Sequence, residues 1–374
     1  MKISFVLGHE LPFPPQMGGG VNSLLAGLCK ALAMLGHEVI AYSPQVSGRP
    51  DVEVLDGVRH VRVKATVRRE QHIINFTAGI PYALRVYRVL ESCDILSCHL
   101  WHGFFYSRYP GARAVTHTIH RDPKKLLRLF TLFDRIYAAS EAITKDACRV
   151  APLLAPKCRT IPNAVDFSEY PEPHPRSLDG HVRFIYVGRF SADKGLESFI
   201  RAFCDAAEVN SAIRFKAIGP MSSMEGGDEA FVSRLRLLVA GRGLTDRIEF
   251  AKPIYNRSAL DEEIRGADVV VLPSIGGETL NMSILECMRI GRTVLISDLP
   301  ANGPLLVDGL TGMFARAGDS AHWTKKILEL AAAPEQLQHF GVEAYFYGRQ
   351  KFSCEQIARE YLIDFEKLLA ESSA

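Results

Sequence analysis

The feature that most constrains the fold is one alternation met twice. Short continuous apolar runs, which read as buried parallel strands, take turns with apolar residues at helical spacing. The first run is residues 2–7. A Pro/Gly loop follows and ends in Gly18-Gly19-Gly20. Val21, Leu24, Leu25, Leu28, Leu32 and Leu35 then recur at helical spacing, and Gly36 stops the helix. Residues 39–42 form the next strand, with later strands expected at 94–97, 114–118 and 135–139. Residues 171–181, proline-rich and polar, read as a linker. A second series opens with a strand at Val182–Val187. It continues with a helix at about 196–207 and strands at 213–218, 247–250, 268–272 and 293–296. Two such series imply an α/β chain of two Rossmann-like, doubly wound domains whose sheets face across a cleft, with ligands beyond the carboxyl ends of the strands.

Length and composition agree. A chain of 374 residues is long for one hydrophobic core and comfortable for two. The 44 basic and 42 acidic residues leave a net charge of +2, so bulk electrostatics gives no case for nucleic acid as a partner. No apolar run approaches the ~20 residues of a membrane helix. The N-terminal apolar stretch turns polar too soon for a signal peptide. Eight cysteines include no C-x-x-C pair and lie mostly in apolar patterns. That suits reduced core thiols and a cytoplasmic location.

Two segments carry chemistry. The first runs from Gly188 through Arg189 and Lys194 to Gly195, after a strand and before a helix. Gly188 permits a tight turn. Arg189 and Lys194 set two fixed positive charges beside a helix N-terminus, which suits a diphosphate. Taken alone, the same residues also read as a solvated turn with two surface charges. The second segment runs from Pro273-Ser274 to Glu286. Glu278 lies in the loop after a strand, and a helix is expected to begin near residues 281–283. Glu286 falls in its first turns, and helical side chains lean back toward the N-terminus. Both carboxylates then reach one cleft, where they can accept from paired sugar hydroxyls. Backbone N–H groups of Leu280, Asn281 and Met282 face the same place. The competing reading makes Glu286 the closing member of a capping box with Ser283.

Together, about 90 residues apart, these segments resemble glycosyltransferase family 4, whose fold is called GT-B. Other pieces are similar along nearly the whole chain: Gly18-Gly19-Gly20-Val21, Gly36-His37-Glu38-Val39, Ile161-Pro162-Asn163-Ala164-Val165-Asp166, and Phe352-Ser353 before an amphipathic stretch. The resemblance implies an acceptor-binding domain over residues 1–175, with a closing helix at about 353–374 crossing back to it, and a nucleotide-sugar domain over 180–350. It also implies roles. Arg189 and Lys194 bind the donor diphosphate, Glu286 holds the ribose hydroxyls, and Glu278 contacts the transferred sugar. Gly188 and the glycine loop at Gly19 and Gly20 let the backbone approach the donor. His120 matches the family's T-x-H segment and sits near the transferred sugar or attacking hydroxyl, with His117 as the fallback. Either histidine also reads as a cap on a buried strand.

The implied reaction is retaining transfer from a nucleotide-diphosphate sugar, a UDP-sugar being favoured, to an unidentified hydroxyl acceptor. Cationic side chains stand where other transferases place a metal, and no cofactor is expected. One departure stands out. Many members have Glu-Gly-Phe-Gly where this chain has Glu278-Thr279-Leu280-Asn281, which narrows backbone freedom and lets Asn281 supply a helix cap. His99-x-x-His102 and His117-x-x-His120 have zinc-like spacing but fall on strand ends or loops with no third ligand placed. The basic-amphipathic stretch 121–130 reads first as a solvated helix face. Its second reading is a peripheral contact with the inner membrane face or a lipid-linked acceptor. Two rival functions are a sugar-nucleotide epimerase on a similar fold and a sugar-nucleotide-binding protein without activity.

Overall fold

The computed structural model describes residues 1–15, 20–65, 72–120, 125–173, 179–276, 278 and 280–372. The chain forms two compact units. Unit one is Met1–Asp166 with Phe352–Ala374, and unit two is Phe167–Lys351.

Among the described residues, unit one holds eight strands: β1 (Lys2–Val6), β2 (Glu38–Pro44), β3 (Val52–Leu55), β4 (Val58–Val63), β5 (Cys93–Cys98), β6 (Ala112–Ile119), β7 (Arg135–Ala138) and β8 (Cys158–Thr160). Their order is β3-β4-β2-β1-β5-β6-β7-β8, parallel throughout except the β3–β4 hairpin. That hairpin was not expected from periodicity. It turns at Asp56 and Gly57, both at positive φ (51° and 76°), the geometry an Asp-Gly turn favours. Helices α1 (Gly20–Met34), α2 (His72–Val89) and α3 (Glu141–Val150) accompany this sheet. In α1 the residues Leu24, Leu25, Leu28, Cys29 and Leu32 are buried, the stripe expected from spacing. Gly36, at φ 87°, ends the turn while His37 N–H donates to the Leu32 carbonyl at 3.2 Å.

Unit two repeats the plan with β9 (Val182–Val187), β10 (Ile213–Ile218), β11 (Ile248–Ala251), β12 (Val269–Leu272), β13 (Thr293–Ser297) and β14 (Gly312–Ala315) in the order β11-β10-β9-β12-β13-β14, all parallel. Its helices are α4 (Leu196–Val209), α5 (Glu229–Gly241), α6 (Arg257–Arg265), α7 (Met282–Met288), α8 (Ser320–Ala332) and α9 (Pro334–Phe352). Strands β9 and β12 are buried on both sides, which is why their sequences run apolar rather than alternating. Phe167–Tyr170 already pack with this unit, as Tyr170 Oη donates to Asp261 at 2.7 Å.

The last helix, α10 (Cys354–Glu371), packs on α1 of unit one. Gly27 makes room for it, since a Cβ there would lie 2.5 Å from Cys354 Sγ. Buried Arg135 on β7 reaches Asp364 at 3.0 Å, and Tyr137 Oη donates to the same carboxylate at 2.7 Å. No helix among the described residues is long and apolar enough to cross a membrane.

Each sheet reverses direction beside its first strand, at β1/β5 and at β9/β12, and ligands of such sheets collect at that reversal. At the second reversal Gly188 ends β9, and Gly219 follows β10 directly alongside. A Cβ on Gly219 would lie 1.8 Å from the Gly188 carbonyl oxygen. Gly219→Ala is therefore expected to lower stability by about 1–3 kcal/mol through overpacking. A urea midpoint unchanged from the parent chain would contradict the close approach.

Candidate active site

The loops that leave β9 and β12 pack on each other. Gly195 adopts φ 66°, and a Cβ there would meet the Pro273 carbonyl oxygen at 1.9 Å. Ile275 N–H donates to the Asp193 carbonyl at 3.0 Å. This backbone contact brings Lys194 Nζ to 2.6 Å from Glu278 Oε1, with both side chains largely shielded (14% and 8% exposed). Ser274 Oγ donates to the same Glu278 oxygen at 2.6 Å. Arg189 stands apart from that pair. Its guanidinium donates to the Gly226 carbonyl at 3.3 Å and lies 3.7 Å from Asp193, half exposed. Tyr186 Oη donates to the Arg189 carbonyl at 2.7 Å and steadies the turn after Gly188.

Helix α7 begins where the sequence placed it. Asn281 is its N-cap and accepts from Ser283 N–H at 3.0 Å, so the capping box with Ser283 does not form. Leu280 is buried, Asn281 is almost fully buried, and Met282 opens the helix. Glu286 has a partner that spacing did not reveal. Arg257 Nη1, from the first residue of α6, donates to it at 2.6 Å. Burial opposes the Arg257 charge, but Glu286, then Asp261 and Glu169, outweigh it and hold its pKa above the ordinary value. Arg257 also lies 3.4 Å from Asp261, which is buried and holds Arg289 at 2.5 Å. Arg289 reaches on to Glu169 at 3.2 Å. Glu286 thus stands on a chain of alternating charges, of which the sequence announced only the first.

In unit one, His120 follows β6 directly. Its Nε2 lies 2.8 Å from His99 Nδ1 at the end of β5, and His99 Nε2 lies 2.9 Å from Ser97 Oγ. His117 sits three residues back, buried against the rings of Phe130 and Phe133 at 4.4 and 5.5 Å. Burial, then the charge of His120, pushes its pKa down to about 3. Gly20 opens α1, whereas Gly18 and Gly19 lie outside the described residues. Residues 121–124 lie outside them as well. Lys125–Phe130 form a 3-10 turn with Leu127 and Phe130 buried and Leu129 exposed, and Arg128 donates to the Val150 carbonyl at 3.1 Å.

This geometry has clear relatives. The family model described as Glycosyltransferase Family 4 matches residues 18–169, and the one described as Glycosyl transferases group 1 matches 181–333. The chain belongs to glycosyltransferase family 4, with the GT-B fold, and is a sugar-transferring enzyme. It is similar to spore coat protein SA of Bacillus subtilis (strain 168), at 23% identity across 98% of this chain and 100% of that one. Among solved structures, sucrose-phosphate synthase from Thermosynechococcus elongatus superposes with a TM-score of 0.77 at 21% identity, covering 99% of this chain and 100% of that one. Anabaena HepE in complex with UDP-glucose superposes with a TM-score of 0.73 at 15% identity, covering 98% and 100%.

Asp261 compensates the buried Arg289, so removing it strands a charge. Asp261→Ala is expected to destabilise the chain by about 3–5 kcal/mol. Arg359→Ala, which breaks an exposed pair with Glu355, is expected to cost under about 0.5 kcal/mol. Equal losses in chemical denaturation would rule out the buried network as a stabilising hub.

Proposed function

We propose that the chain transfers the sugar of a UDP-sugar to an acceptor hydroxyl, with retention of anomeric configuration and without a divalent ion. The acceptor belongs to glycan, glycolipid or small-metabolite synthesis, and the reaction runs in the cytoplasm. The observation that carries the proposal is the Lys194–Glu278 pair, held at 2.6 Å where β9 and β12 meet at the sheet reversal. A cation fixed there suits a leaving diphosphate, and a carboxylate fixed beside it suits the hydroxyls of the sugar that diphosphate carries. The UDP-glucose complex of HepE, on the same fold, supports uridine as the base.

In this reading the bond between the anomeric carbon and the phosphate oxygen breaks, and the electron pair leaves with the nucleotide diphosphate. Lys194 and Arg189 balance the growing negative charge, as a metal ion does in other enzymes. Backbone N–H groups at Leu280–Met282 and the Gly188 turn lie against the donor. Glu278 orients the sugar, and Glu286, braced by Arg257, accepts from the ribose hydroxyls. The acceptor hydroxyl attacks the face that the phosphate leaves, and its proton passes to the departing phosphate oxygen. His120 of unit one serves the transferred sugar or the attacking hydroxyl.

A thermal-shift screen over UDP-, GDP-, ADP- and dTDP-sugars identifies the donor, since saturation at 100 times Kd stabilises by roughly 2.7 kcal/mol. With that donor, turnover is expected to survive EDTA. Proton NMR of the sugar passed to an acceptor, or slowly to water, is expected to show the donor's anomer before equilibration. An inverted product, or activity lost in EDTA and restored by magnesium or manganese, would overturn the mechanism.

Two substitutions divide binding from chemistry. Glu286→Ala is expected to weaken nucleotide binding by about 1.5–3 kcal/mol in calorimetry, the worth of a hydrogen bond to a charged group. Lys194→Ala is expected to lower kcat more than donor affinity, because leaving-group charge grows in the transition state. Loss of affinity alone, with kcat intact, would reduce Lys194 to a donor anchor.

A further inference from the structure

The carboxyl ends of β5 and β6 hold a hydrogen-bonded row that ends in His120 and whose other members have no part in the reaction described above. Thr116 Oγ1 donates to Ser97 Oγ at 3.4 Å, Ser97 Oγ meets His99 Nε2 at 2.9 Å, and His99 Nδ1 meets His120 Nε2 at 2.8 Å. Ser97, His99 and Thr116 are buried. Phe5 of β1 stacks on the His99 ring with centroids 5.5 Å apart and planes 13° from parallel, which fixes the ring plane. Burial, then the charges of His120 and His117, holds the His99 pKa well below its ordinary value, so the ring is neutral. A neutral imidazole has one N–H and one lone pair.

A serine hydroxyl has one proton and two lone pairs, so Ser97 Oγ can accept from Thr116 and still either give to His99 Nε2 or accept from it. We propose that it gives: His99 then carries its proton on Nδ1 and donates it to His120 Nε2, and His120 keeps its own proton on Nδ1. His99 is thus a positioning residue for sugar transfer, setting both the tautomer and the ring orientation of His120. The proposal rests on the reading of His120 as the group at the transferred sugar. The plainer alternative makes His99 a core histidine that closes β5 over Phe5 and transmits nothing.

The test needs no donor for its first arm. The full-length chain is labelled with ¹⁵N-histidine, and the His120 ring signals are assigned among the 12 histidines by their loss in His120→Ala. The parent chain is expected to show His120 protonated on Nδ1 with Nε2 as acceptor. In His99→Phe, which keeps a ring on Phe5 but removes both nitrogens, the His120 signals are expected to move toward the average of the two tautomers. Ser97→Ala, which leaves His99 in place and removes its proton source, is expected to move them the same way. It also carries this arm should the phenylalanine variant fail to fold. His120 signals unchanged in the folded variants would overturn the proposal.

The second arm measures turnover with the donor that stabilises the chain. His99→Phe is expected to lower kcat by about tenfold, the worth of one hydrogen bond, with KM for the donor little changed. His99→Gln, whose amide can donate to His120, is expected to recover part of that loss. His99→Phe combined with His120→Ala is expected to lose no more than His120→Ala alone, because His99 acts through His120. Additive losses would assign His99 a purely structural effect and sink the proposal. The two readings fail separately. Full turnover in His120→Ala would remove His120 from the reaction, even where the NMR arm shows that His99 governs its tautomer.

Discussion

The packing of the loop after β9 against the loop after β12 is the contact on which the second unit's chemistry depends. It requires Gly195 to hold a left-handed backbone and to leave no Cβ in the path of the Pro273 carbonyl. Once the two backbones touch, Lys194 and Glu278 have little choice of partner, although 84 residues separate them in the chain. The pair is shielded enough for its charges to act strongly on each other and open enough for neither to be locked in an apolar core. A polar ligand entering there meets two opposite charges whose positions are already set, so little ordering remains to be done on binding.

A second constraint lies one helix away. Glu286, Arg257, Asp261, Arg289 and Glu169 alternate in sign from the start of α6 through α7 to the segment that enters unit two. Buried charges destabilise a fold unless each is balanced, and here each cation sits between carboxylates. Tyr170 closes the row by donating to Asp261 and lying under Arg289, whose guanidinium carbon is 4.5 Å from its ring centre. The orientation of Glu286 is therefore inherited from residues on three separate elements.

The two units each place polar groups at the carboxyl ends of their strands, at β9/β12 in one and at β5/β6 in the other, and choose different chemistry. Unit two presents fixed cations beside carboxylates, which suits an anionic leaving group. Unit one presents imidazoles and hydroxyls in a buried row, which suits neutral hydroxyls that must be aligned rather than neutralised. His117 lies on β6 and His120 just past its end, and one packs among phenylalanines while the other meets a histidine. An odd offset along a strand sends neighbouring side chains to opposite faces.

Where a signal is carried by neighbours in the chain, it was legible. β9 and β10 were readable to the residue, because their apolar residues lie close together and end at Gly188 and Gly219. The α1 stripe and the start of α7 were equally plain. The Asp56-Gly57 hairpin is written just as locally, between alternating valines, but β3 is a short, largely exposed strand without the buried apolar run that marks the others. The grip of Arg257 on Glu286, the burial of Asp261 and Arg289, and the meeting of His99 with His120 left no such trace. By itself the sequence determined the two α/β series, the turns that end their strands, and the residue types placed at those ends. Only the tertiary structure decided which of those residues touch. Strand order brings β9 beside β12 across a long stretch of chain and β5 beside β6 across a short one, and a hydrogen bond or ion pair depends on distance in space, which spacing along the chain does not encode.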